Sequence, residues 1–177
     1  EIGLVGGAGG AQSAAGWEGP CPQGPGPELM AALEWMGGLR LLDLSFNALG
    51  RGAETSRLTA CLTRLSNLEE LNLSENDLDA AAASALGQEA LPLLSSLRVL
   101  NLSYNAMGKA GGEAVARGLD EAKGLRQLDL RYNGLGRDGS AEVLRLLRSG
   151  RHDSLHDGVL GGNTDTRDAP DADRRPA

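Results

Sequence analysis

At 177 residues with a net charge of −7, the chain has room for one domain plus tails, and its acidic balance argues against a general nucleic-acid binder. Aromatic residues make up only 3%, so leucine and alanine must build the core. Two cysteines, Cys21 and Cys61, give no disulfide framework, and no apolar run approaches the roughly 20 residues needed to span a membrane.

The chain starts Glu1, Ile2, Gly3, without a basic stretch before an apolar core, so it does not read as a signal peptide. Ile2 to Val5 can supply a degenerate first strand, and the Gly- and Pro-rich stretch from Gly3 to Gly26 is expected to be irregular. Gly6, Gly7, Ala8, Gly9 and Gly10 invite a dinucleotide reading. Counting from Gly7 and Gly9, however, Gln12 holds the place of the last glycine, and no strand–helix–strand unit follows. Pro27 to Met36 reads as a helix, with Pro27 in its first turn and Leu29, Leu33 and Met36 on one face. It would cap the array or belong to a preceding repeat.

From Leu39 one pattern recurs four times. Its copies are Leu39, Leu42, Leu44, Asn47, Leu49; then Leu68, Leu71, Leu73, Asn76, Leu78; then Leu97, Leu100, Leu102, Asn105, Met107; then Leu125, Leu128, Leu130, Asn133, Leu135. Their starts are 29, 29 and 28 residues apart. Within a copy, leucine alternates with polar residues, which marks a short strand with one buried face, such as Arg40 to Leu44 or Glu69 to Leu73. So short a strand cannot bury that face alone, so copies must pair in parallel and stack. Asn47, Asn76, Asn105 and Asn133 then form a column whose amides satisfy turn backbone groups, a structural ladder rather than a ligand site.

Helices fill the intervals. Arg57 to Leu65 carries Leu58, Leu62 and Leu65 on one face; Ala80 to Leu94 is alanine-rich, and its regular part should end before Pro92. Gly112 to Leu119 and Ser140 to Leu147 place Val115 with Leu119, and Val143 with Leu147, at i, i+4. Gly50, Gly108 and Gly136 read as loop glycines leading into these helices. A degenerate fifth copy is expected at Leu155, Leu160 and Asn163, with Gly158 and Asp165 in two leucine places, and an acidic-basic disordered tail from Thr164.

The repeated motif resembles the ribonuclease-inhibitor type of leucine-rich repeat, over roughly Leu39 to Gly150. That resemblance implies an α/β solenoid, a short horseshoe with a parallel concave sheet and convex helices. It divides the chain into an irregular or degenerate segment 1–26, an array with its capping helix at 27–150, a degenerate repeat at 151–163 and a tail at 164–177. Related arrays occur in GTPase-activating proteins of Ran, in innate immune receptors and in intracellular scaffold subunits. The chain departs from several of these. It lacks the cysteine content of the ribonuclease inhibitor, the cysteine-rich caps of extracellular arrays and the long acidic run of the Ran activators.

Little here points to catalysis. His152-Asp153 and His156-Asp157 would share a helical face and invite a divalent metal, but no Glu general base lies between them and the chain has no other histidine. Neither cysteine has a histidine partner at a recognisable spacing. No cofactor, metal or enzymatic centre is expected, and the location is read as intracellular, in the cytoplasm.

The concave face is the functional candidate. Its columns read Asp43, Asn72, Asn101, Asp129; then Ser45, Ser74, Ser103, Arg131, taken as outward; then Phe46, Glu75, Tyr104, Tyr132; and, after the first leucine, Arg40, Glu69, Arg98, Arg126. Arginine and aromatic side chains dominate protein contacts because they bury area while keeping a polar handle. Arg98, Tyr104, Arg126, Arg131 and Tyr132 are therefore expected to form one patch that binds a protein partner. The function read from this is protein–protein interaction or a structural subunit of a larger intracellular assembly. The alternatives are regulation of a small GTPase, or a ligand-sensing piece of an immune receptor.

Overall fold

The two leucines that alternate with polar residues in each repeat point into one continuous core. In a computed structural model, which describes residues 2–3, 32–33, 36–50, 53–119, 122–149 and 157–163, the first of each pair lies in strand β2 (Leu41–Asp43), β3 (Glu70–Asn72), β4 (Val99–Asn101) or β5 (Gln127–Asp129), and the second lies one residue past the strand end. Two further strands, β1 (Ile2–Gly3) and β6 (Asp157–Val159), flank them in a parallel sheet of order β1-β2-β3-β4-β5-β6. The register aligns Leu42, Leu71, Leu100 and Leu128, all buried, as are Leu44, Leu73, Leu102 and Leu130. Gly158 opposes Leu128, and Ile2 opposes Leu42. Each fully buried leucine contributes about 1.5–3 kcal/mol, and stacking is what removes it from water.

Among the described residues, one helix follows each of β2 to β5: α1 (Ala53–Leu62), α2 (Ala80–Ala85), α3 (Gly108–Gly118) and α4 (Gly136–Ser149). Helices α1, α3 and α4 begin four residues before the stretches that apolar spacing marks out. Their first turns are built from small and polar residues, which carry no hydrophobic signal. The expected helix over Ala80 to Leu94 is more broken than its alanine content implies. Its regular part ends at Ala85, a π turn covers Leu86–Ala90 and a 3₁₀ turn covers Leu91–Leu93. Pro92 has no amide to donate and its ring crowds the carbonyl four residues back, which disfavours a regular helix through this stretch. The wider turn, closed by the Leu91 amide on the Leu86 carbonyl, keeps Leu86, Ala90 and Leu91 buried.

The loop glycines act for two different reasons. Gly108 and Gly136 have φ of +59° and +69°, where a side chain is strained. Gly50 does not; there a Cβ would collide with the Asp77 carbonyl, so it is close approach of the next repeat that demands glycine.

The asparagines stitch the strand ends together. Asn76 Oδ1 accepts from the amides of Asn47 (3.0 Å) and Leu49 (3.4 Å), and Asn105 Oδ1 from those of Asn76 and Leu78, both 3.0 Å. Asn163 Oδ1 accepts from Asn133 (2.8 Å) and Leu135 (3.3 Å). The Nδ2 groups donate back to strand carbonyls: Asn76 to Leu44, Asn105 to Leu73, Asn133 to Leu102 and Asn163 to Leu130. One rung is missing. Asn133 Oδ1 is buried without a hydrogen-bond partner. The gap coincides with the one repeat of 28 rather than 29 residues.

Candidate functional site

The concave face starts from the side chains that flank the buried leucine of each strand. Asp43 Oδ1 accepts from the amide and hydroxyl of Ser45 (2.9 and 2.7 Å), Asn72 Oδ1 from those of Ser74, and Asn101 Oδ1 from those of Ser103. Asn72 Nδ2 also donates to Asp43 Oδ2 at 3.1 Å. Partial burial pushes the Asp43 carboxyl up, but the hydrogen bonds from Ser45 and Asn72 outweigh it and hold it below its ordinary value. The serine column is therefore not outward as the alternation suggests. Ser45, Ser74 and Ser103 are buried, because the strand ends two residues earlier and the chain turns them in onto these acceptors.

Arg131 takes the serine place in the fourth repeat and stays exposed. Its Nε donates to both carboxylate oxygens of Asp129 at 3.0 Å, and its Nη2 to Oδ2 at 2.7 Å. This hydrogen bonding and charge hold the guanidinium firmly protonated.

The next place carries an unexpected backbone. Phe46, Glu75, Tyr104 and Tyr132 have φ of 60°, 54°, 55° and 54°, in the left-handed region. Such a conformation costs a non-glycine residue roughly 1–2 kcal/mol. The ladder asparagine that follows each of them is anchored by its own side-chain amide on backbone carbonyls. The result is a row of side chains along the C-terminal rim of the sheet. Tyr104 and Tyr132 stack there, with centroids 4.5 Å apart and planes 18° from parallel. Tyr132 lies over Gly162, where a Cβ would collide with its ring. Tyr104 is 41% and Phe46 44% exposed, with exposed Glu75 between them. Desolvation, then the neighbouring Tyr132, pushes the Tyr104 phenol above its ordinary value.

Arg98 and Arg126 lie elsewhere. They precede β4 and β5, whereas Tyr104 and Tyr132 come after the strand ends. The five arginine and tyrosine residues thus form two groups at opposite ends of the strands, not one patch, because cross-strand pairing aligns residues of equal place and separates those of different place.

A further column escaped the sequence reading. Leu41, Glu70, Val99 and Gln127 are in register on the sheet and partly or fully exposed. Their signal was the same period of two that marks Asp43, Asn72, Asn101 and Asp129. His152 and His156 lie outside the described residues. Among those that are described, no group of His, Cys, Asp and Glu is placed to hold a metal ion, and no helix is long and apolar enough to cross a membrane.

A family model for the leucine-rich repeat matches residues 64–87 and 94–116. With the parallel sheet, the stacked leucines and the helical returns already described, the match decides the fold. The chain is a leucine-rich repeat solenoid. No curated protein matches it. Among solved structures, this solenoid is similar to actin-binding site 2 of leiomodin-1, with a TM-score of 0.62 and 18% identity over 76% of this chain and 76% of that one. It is also similar to the C-terminal domain of a tropomodulin from Caenorhabditis elegans, with a TM-score of 0.63 and 15% identity over 80% of this chain and 84% of that one. At these identities the likeness speaks for the fold of the solenoid alone.

Proposed function

We propose that the solenoid is a non-enzymatic protein–protein interaction module, a structural subunit of a larger cytoplasmic assembly. Its partner docks on the C-terminal rim of the sheet. The observation that carries this reading is the Tyr104–Tyr132 stack, a partly exposed aromatic surface on a rigid backbone beside the pinned guanidinium of Arg131. Rigid aromatic and arginine groups give binding energy at low entropic cost. The 28- and 29-residue spacing and the full helical turns support assignment to the ribonuclease-inhibitor type. Pairing of β6 with β5 and the ladder bonds of Asn163 support residues 151–163 as a terminal repeat. Nothing described on the molecule favours a GTPase regulator or an immune-receptor fragment.

Quantitative capture from cell extract tests the rim. Tyr104→Ala with Tyr132→Ala should deplete the captured partner, while Arg57→Ala with Arg64→Ala on the convex side should not. The reverse pattern would move the interface to the helices. Purified actin is one partner to test directly, since the leiomodin structure is described as an actin-binding site.

A further inference from the structure

At the opposite end of the sheet, Arg40, Glu69, Arg98 and Arg126 form a second column. Backbone bonds hold it in register. The amides of Glu69 and Glu70 donate to the Arg40 carbonyl, those of Arg98 and Val99 to Glu69, and those of Arg126 and Gln127 to Arg98, all at 2.7–3.0 Å. The charges alternate over three strands and then fail to. Glu69 bridges two arginines, with Arg40 Nε at 3.3 Å and Arg98 Nε at 3.7 Å from its two oxygens. Arg126 follows Arg98 one strand spacing on, about 4.8 Å, with no acid between them. Among the described residues no ion pair reaches Arg126. Like charges directly opposite on paired strands repel, so this step of the column is unfavourable as it stands.

A cleft of about 260 Å³ opens at this step, lined by Glu69, Ser95, Ser96, Arg98, Gly124 and Arg126. Two guanidinium groups and two serine hydroxyls supply donors. Gly124 leaves the cleft wall open, since even a Cβ there would meet nothing nearer than the Leu97 carbonyl at 3.7 Å.

We propose that this cleft binds one carboxylate of the protein partner, an Asp or Glu side chain, seated between Arg98 and Arg126 as Glu69 sits between Arg40 and Arg98. A forked carboxylate matches the planar guanidinium groups. Glu69 stays on the wall, and its charge disfavours a dianion such as phosphate more than a monoanion. The inference names partner chemistry on the concave face and so rests on the protein-partner reading. It is nonetheless measured without any partner, and at the other end of the strands from the tyrosine stack, so the two fail separately.

The test is an amide-resolved NMR titration of the intact chain with an acetylated, amidated tri-glutamate peptide, with inorganic phosphate, and with chloride at matched ionic strength. Saturable shifts at Ser95, Ser96, Gly124 and Arg126 are expected for the peptide, with at least about tenfold weaker binding in Arg126→Gln and no change in Arg64→Gln, the same charge loss on the convex side. Spectra elsewhere should stay unchanged, showing that the variant is folded. Tighter binding of phosphate than of the peptide would overturn the carboxylate assignment. Peptide shifts that match chloride, spread over the whole surface or survive Arg126→Gln would overturn the site itself.

Discussion

The Tyr132 ring occupies the space that a side chain at residue 162 would fill. Gly162 has φ of +71°, and a Cβ there would collide with Cδ1 of Tyr132. The aromatic stack on the rim is thus completed from the last repeat, by a residue that contributes no side chain at all. Places equivalent to Gly162 in earlier repeats hold Phe46, Glu75, Tyr104 and Tyr132 in the same left-handed backbone. The last one is left bare, and the Tyr132 ring lies across it.

Gly162→Ala should therefore disturb the stack as well as strain the turn. The expected cost is about 1–2 kcal/mol, with a change in the tyrosine near-ultraviolet circular dichroism. An unaltered tyrosine spectrum would show that Tyr132 does not depend on this gap.

The ladder asparagines should not be equivalent. Asn105 accepts two backbone amides and donates to the Leu73, Leu102 and Ser103 carbonyls. Asn133 donates to Leu102, Leu130 and Arg131 but accepts nothing. Asn105→Ala strands two more buried groups than Asn133→Ala and should cost about 1–3 kcal/mol, the larger of the two losses. Urea unfolding of both variants decides it. Equal losses, or a larger one for Asn133→Ala, would contradict the rung-by-rung account.

Asp43 links stability to acid. Its folded value lies below that of the unfolded chain, so its contribution is complete above about pH 5 and is lost as pH falls below the ordinary carboxylate value near 3.9. Asp43→Asn keeps an acceptor for Ser45 but removes the titration. Between about pH 6 and pH 2.5 the native chain should lose more stability than this variant, measured by urea midpoints. Parallel losses would mean that Asp43 does not titrate to lower values in the fold.

The solenoid is legible from sequence because its cause is local and repeated. Leu42 and Leu44, with their counterparts, can only be buried by stacking, and the period of two states which face that is. Ser45, Ser74 and Ser103 show where the reasoning stops. Alternation carried past the strand end points them outward, whereas the turn folds them onto Asp43, Asn72 and Asn101. The rim is half legible. Tyr104 and Tyr132 stand out by residue type, but no local preference announces a left-handed tyrosine. Arg98 and Arg126 belong to the same two repeats as the tyrosines, and distance along a strand, which repeat alignment hides, keeps them apart. The break after Ala85 is signalled by Pro92 only as a helix end, not as a widened turn that begins six residues earlier at Leu86.

The central claim is that the partner meets the rim formed by Tyr104 and Tyr132. Site-specific photo-cross-linking tests it most directly, with the reactive group placed at residue 104, at 126 or at the convex residue 64 in otherwise unaltered chains. The account predicts a partner adduct from position 104, none from position 64, and loss of the position-104 adduct when Tyr132→Ala is added while the melting temperature shifts little. An adduct from position 64 alone, or one from position 104 that Tyr132→Ala leaves undiminished, would contradict it.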